Sequence, residues 1–208
     1  MRRRFVYVGG GGRGDQIIAT TNDTRNWYGF GTPERTIFNP RFKVKPGKVE
    51  VRHLDWAKQY EGCILVEPHI KGTYSGENKR WPWDYWVELV QRSPWPLSQF
   101  SYGKDLLPGV TPIESPSFDH AVSLLAVSRG AVLTEGGLHH AAGALGKPAV
   151  VIFGAFNLAS MMGYDFHFNL EEQDPVCLGR RKTHPACLAA MRRITVDRVL
   201  EAMHRMLG

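Results

Sequence analysis

From Cys63 onward the chain alternates short apolar runs with amphipathic stretches of about ten residues. Cys63 to Val66 and Leu97 to Ser101 read as strands. Trp83 to Gln91 reads as a helix with Trp86, Leu89 and Val90 apolar, and Phe118 to Val127 as another with Ala121, Leu124 and Leu125 on one side. Ala131 to Thr134 and Ala149 to Phe153 are continuous apolar runs, the pattern of strands buried on both faces. Between them a helix from about Leu138 to Leu145 stops at Gly-Lys-Pro. A last helix, about Val196 to Leu207, places Val199, Ala202, Met203 and Met206 at helical spacing. Strands alternating with helices predict an α/β fold with a parallel, doubly wound sheet.

Before Cys63 the pattern is poorer. Phe5 to Val8 reads as a strand, Gly9 to Gly14 as a glycine loop and Asp15 to about Arg25 as a helix. Asn26 to Lys48 is dense in Asn, Pro, Gly and aromatics, with only Thr36 to Phe38, and then Val49 to Arg52, looking extended. It is too long for a bare linker and too irregular for half a nucleotide fold.

Composition narrows the setting. A chain of 208 residues has room for one full domain and a reduced second lobe. With 43% hydrophobic and 22% charged residues it reads as soluble and globular, without an apolar run long enough to span a bilayer. Met-Arg-Arg-Arg leads into Phe5 without the apolar stretch of a secretion signal, so a cytoplasmic location is expected. Cys63, Cys177 and Cys187 fit a reducing compartment and suggest no disulfide framework. Cys177, His184 and Cys187 fall short of a structural zinc set, so no metal is expected. A net charge of +6 favours polyanionic partners. The cations are scattered apart from Arg2 to Arg4 and Arg180 to Lys182, a distribution that suits phosphorylated substrates as well as nucleic acid, which is not favoured.

The stretch Val132 to Gly154 carries the chemistry. Glu135, Gly136 and Gly137 turn a buried strand into a helix whose first N–H groups are left uncovered, and the helix dipole adds positive charge there. An anion such as a diphosphate is well received at such an end. Paired glycines also serve as a plain sharp turn, so the motif needs support elsewhere.

Four stretches supply it: Gly14-Asp15; Asn78-Lys79-Arg80-Trp81-Pro82 with Trp86; Ser117-Phe118-Asp119; and Glu135-Gly136-Gly137-Leu138-His139-His140 followed by Ala-Leu-Gly-Lys-Pro and Phe153-Gly154. In this order they resemble the ADP-heptose:lipopolysaccharide heptosyltransferases and related family-nine glycosyltransferases of the GT-B fold. The resemblance covers most of residues 60 to 208. It implies a reduced, acceptor-side lobe over 1–60 and a nucleotide-sugar-binding Rossmann-like domain over 61–208, with the terminal helix packing back toward the first lobe.

The resemblance further implies metal-independent, inverting sugar transfer from a nucleotide-diphosphate-sugar to a hydroxyl acceptor, with no cofactor. Lys79 would bind the donor phosphates, and Ser75, Glu135, Gly136, Gly137, Leu138, His139 and His140 would complete the donor-binding site. Asp119 would read the ribose diol, although it also suits a helix cap. Asp15 would be the general base, with helix capping as its alternative, and Arg13 and Gly14 would stand on the acceptor side. Glu135 and Gly136 depart from the family's usual Asp and Thr or Ser. Relatives hold the acceptor in a whole domain where this chain has about sixty residues. A homodimer supplying the missing wall, and a non-catalytic nucleotide-sugar-binding module, are therefore also expectations, as is a glycosyltransferase acting on nucleic acid.

Overall fold

The computed structural model describes residues 12–21, 34–36, 39, 41–72, 76–154 and 156–208. The expected strand Phe5 to Val8 lies outside them. In chain order the elements are α1 (Arg13–Ala19), α2 (Leu54–Ala57), β1 (Ile64–Glu67), α3 (Trp83–Arg92), β2 (Leu97–Ser101), β3 (Thr111–Glu114), α4 (Phe118–Val127), β4 (Gly130–Thr134), α5 (Gly137–Leu145), β5 (Ala149–Phe153), α6 (Ala159–Met162), β6 (Phe168–Glu171), α7 (Pro185–Arg193) and α8 (Val196–Leu207). The six strands form one parallel sheet in the order β3-β2-β1-β4-β5-β6. β4 and β5 are buried at every position, as their unbroken apolar sequences require. Strand order reverses between β1 and β4, which opens a crevice at their carboxyl ends.

Each face of the sheet has its own core. On one, Leu65, Phe100, Leu133 and Val151 meet Leu124 and Leu125 of α4 and Ala141 and Ala142 of α5. Ile17 and Ile18 of α1, with Phe42 and Val44, join this same cluster. The described N-terminal residues thus cover the sheet domain; they do not build a core of their own. On the other face, Val66, Val132 and Val150 pack with Trp86 and Leu89 of α3 and Val199 and Met203 of α8. The terminal helix therefore lies across the sheet from the described N-terminal residues, α1 with Phe42 and Val44. Its apolar stripe fits the face that α4 and α5 leave open.

Several local expectations change. Thr20 closes α1 early: its N–H and hydroxyl both donate to Ile17 O, at 3.1 and 2.7 Å. Val49 to Arg52 joins no strand. β3 and β6 escape the apolar pattern because they are edge strands, β3 carrying Pro112 and β6 only half buried. Cys177 and Cys187 are disulfide-bonded, contrary to expectation, with Cα atoms 5.6 Å apart. A turn in which Arg180 N–H donates to Cys177 O (2.9 Å) folds the chain back to α7, a contact that sequence spacing cannot reveal. Among the described residues no helix is long and apolar enough to cross a membrane.

Candidate functional site

At the carboxyl ends of β1, β2 and β4 a cavity of about 840 Å³ opens, lined in part by Arg13, Gly14, Asp15, Lys79, Glu135, Gly136, Gly137, Leu138 and His140. The chain motifs that lie far apart in sequence thus meet at the crevice where α/β sheets bind ligands. α5 begins at Gly137 without a side-chain cap, leaving its first N–H groups for a ligand. Gly136 is extended (φ 166°), and a Cβ there would meet only Thr134 O at 3.8 Å, an ordinary contact.

Two close approaches explain the other glycines. A Cβ on Gly14 would sit 2.8 Å from His140 Cδ2 and 3.3 Å from Gly137 Cα, so α1 starts directly against α5. A Cβ on Gly154 would overlap the backbone of Lys79, so the end of β5 packs against the segment that presents the lysine. Two residues on, Trp81 is buried and donates its Nε1–H to Ile194 O at 2.7 Å. Trp81 anchors the loop while Lys79 faces the cavity.

Lys79 Nζ donates to Glu135 Oε2 at 2.7 Å, with the two side chains 17% and 4% exposed. His140 Nε2 lies 3.7 Å from Glu135 Oε1, and His140 Nδ1 is 3.0 Å from the Tyr164 hydroxyl. Burial pushes the Glu135 carboxyl up, but Lys79 and His140 outweigh it and hold the group below the usual carboxylate range. The acid is ionised and the ammonium is tied to it. Glu67, at the end of β1, takes the opposite course: burial pushes it up to about 7, although the His69 N–H donates to it at 2.7 Å.

The remaining expected residues divide. Asp15 faces the cavity, yet its Oδ2 also accepts the Gly12 N–H at 2.6 Å, a capping contact at the start of α1. Arg13 lines the cavity and its guanidinium stands 5.8 Å from the Phe118 ring centre. Asp119, expected at the ribose, is not a lining residue; its Oδ2 faces Arg52 at 3.4 Å, because the first turn of α4 points it away, while Ser117 caps that helix. His139, expected beside the donor, is fully buried behind it, among Phe153, Tyr164 and His167. Adjacent residues on a helix point about 100° apart, so only His140 of the pair can face the cavity. Burial holds His139 well below the usual histidine pKa, and hence neutral. Ser75 lies outside the described residues.

The sequence pattern missed Thr36, His69, Tyr102 and Arg181, which also line the cavity. Only Arg181 left a signal, as part of the basic run Arg180 to Lys182. Glu135, His139 and His140 bring one potential metal-ligand atom each within 4.8 Å of the others. Within this group Glu135 already holds Lys79, at 2.7 Å, and His139 lies fully buried behind the cavity.

The sequence matches no family model and no curated protein. Solved structures do resemble it. ADP-heptose lipopolysaccharide heptosyltransferase II from E. coli superposes with a TM-score of 0.57 at 19% identity, over 85% of this chain and 55% of that one. A family-nine glycosyltransferase from Veillonella parvula gives 0.56 at 15% identity, over 77% and 53%. The fold is GT-B-like. The E. coli heptosyltransferase WaaC, solved with ADP-2-deoxy-2-fluoro heptose, gives 0.51 at 14% identity, over 70% and 43%. This chain spans about half the length of these structures.

Proposed function

We propose that the chain binds a nucleotide-diphosphate-sugar and transfers its sugar, with inversion and without a metal on the diphosphate, to a hydroxyl acceptor. One observation carries this reading: the uncapped N-terminus of α5 and the Lys79 ammonium converge on a single cavity at the switch point of a GT-B-like sheet. Backbone N–H groups at Gly137 and Leu138 would take up one phosphate. Lys79 would turn from Glu135 to the other, and its charge would stabilise the diphosphate as the sugar leaves. His140 would stay with Glu135 and keep that acid ionised. Asp15, at the cavity wall, would take the acceptor proton. A saccharide acceptor belongs to the same proposal.

A second reading is favoured by one contact. The Asp15 carboxylate already accepts the Gly12 N–H, as a helix-capping group would, which suits a nucleotide-sugar-binding module without turnover. A thermal-shift panel of UDP-, GDP-, ADP-, dTDP- and CMP-sugars, followed by donor-hydrolysis assays, separates the two. Stabilisation by one donor, with hydrolysis lost in Asp15→Asn and binding kept, supports transfer. Binding without any turnover supports the module. No shift with any donor overturns both.

A further inference from the structure

The loop between the two bonded cysteines is fixed at three places. Asn78, next to Lys79 and 1% exposed, donates from Nδ2 to Lys182 O at 2.9 Å and Arg180 O at 3.3 Å, and accepts the His184 N–H at 2.9 Å. Gly179, at φ 69°, makes a turn that a side chain would strain, and its carbonyl accepts the Thr36 N–H at 2.7 Å. Arg181 N–H donates to Glu34 O at 2.9 Å, and its Nε donates to Thr36 Oγ1 at 3.0 Å. The result brings Arg181 to the wall of the same cavity as Lys79. Both cysteine sulfurs are buried at the base of this loop, where Cys177 and Cys187 join it to α7.

We propose that Arg181 is a second phosphate-binding residue of the cavity, that Asn78 is the positioning residue that registers it with Lys79, and that the Cys177–Cys187 bond holds the loop in the binding position. This deepens the donor-binding reading and rests on it. A planar guanidinium suits two oxygens of a diphosphate, where Lys79 offers a point charge. Reduction would need a dithiol. Its thiolate attacks one sulfur and breaks the S–S bond, and its second thiolate resolves the mixed disulfide. Two electrons and two protons end on Cys177 and Cys187, and the reductant becomes a cyclic disulfide. The freed loop keeps its hydrogen bonds to Asn78 but loses its covalent base.

Calorimetric titration of the full chain with inorganic pyrophosphate tests this without knowledge of the base or sugar. Arg181→Ala is expected to weaken binding about tenfold or more, as for a charged hydrogen bond, and Arg181→Lys to restore part of it. Dithiothreitol is expected to weaken wild-type binding, and to leave unchanged the already weakened Cys177→Ser, Cys187→Ser double variant. Asn78→Asp, which keeps shape but loses both donated bonds, is expected to weaken binding in wild type and to add little in the Arg181→Ala background. That non-additivity is a result a merely structural asparagine would not give. Unchanged affinity in Arg181→Ala overturns the role of Arg181. Unchanged affinity after full reduction, confirmed by thiol titration, overturns the clip. No pyrophosphate binding by any form, wild type included, overturns the donor-site reading itself.

Discussion

Lys79→Met removes the ammonium from a buried pair while keeping most of its length. Glu135, with its side chain 4% exposed, is then left ionised with only His140 Nε2 at 3.7 Å. Removing one partner of a buried ion pair costs about 3–5 kcal/mol, and the partial exposure of Lys79 puts this case near 3. In a protein of this size that lowers Tm by roughly 6–12 °C. Lys79→Met with Glu135→Gln replaces the pair by neutral groups and should recover most of the loss. Thermal and urea denaturation of wild type, both single variants and the double variant form a cycle that reads the coupling. The sign with pH is fixed by the depressed Glu135 pKa. The folded value lies below the ordinary 4.5, so the pair's contribution is complete above that pH and is lost as pH falls through the folded value. The cost of Lys79→Met should accordingly shrink in acid. Additivity of the two single effects within about 0.5 kcal/mol, or a cost unchanged in acid, would refute the reasoning.

Glu67→Gln should abolish a fall in stability with rising pH. The folded pKa of Glu67, about 7, lies above its ordinary 4.5, so the folded state holds the extra proton and stability drops between these values, by about 3 kcal/mol in all. His167, pushed down to about 4 by burial, acts in the opposite direction, so the variant must be compared with wild type at each pH by urea denaturation. An unchanged difference from pH 4 to 8 would count against the buried acid. Gly154→Ala forces a Cβ into the Lys79 backbone and should cost about 1–3 kcal/mol and weaken pyrophosphate binding, whereas a variant as stable and as tight as wild type would deny the close approach. Gly14→Ala meets His140 and should loosen the contact between α1 and α5, read as faster amide exchange in α1.

Much of the sheet domain is legible along the chain. β4, α5 and β5 follow from two unbroken apolar runs around a short helix, and α4 and α8 from apolar residues at helical spacing, because burial on two faces or on one imposes those periods directly. The edge strands β3 and β6 leave no such mark, since half-exposed strands need no continuous apolar run. Lys79 and Glu135 could each be singled out by motif, but not their 2.7 Å contact, which joins residues from two separate loops. Asp119 shows the limit most plainly. Its place at a helix start fits capping and ribose binding alike, and only the direction of the first turn of α4 settles that it meets Arg52.

The sequence by itself therefore determined the parallel α/β architecture and an anion-receiving helix start at Gly137, because periodicity and turn chemistry act over a few neighbouring residues. Tertiary structure alone decided what surrounds that start. It put the described N-terminal residues into the sheet's own core, sent α8 to the far face, closed the Cys177–Cys187 loop and brought Arg181 to the cavity. Such contacts depend on which surfaces remain open once the strands have paired, and no local stretch of chain encodes that.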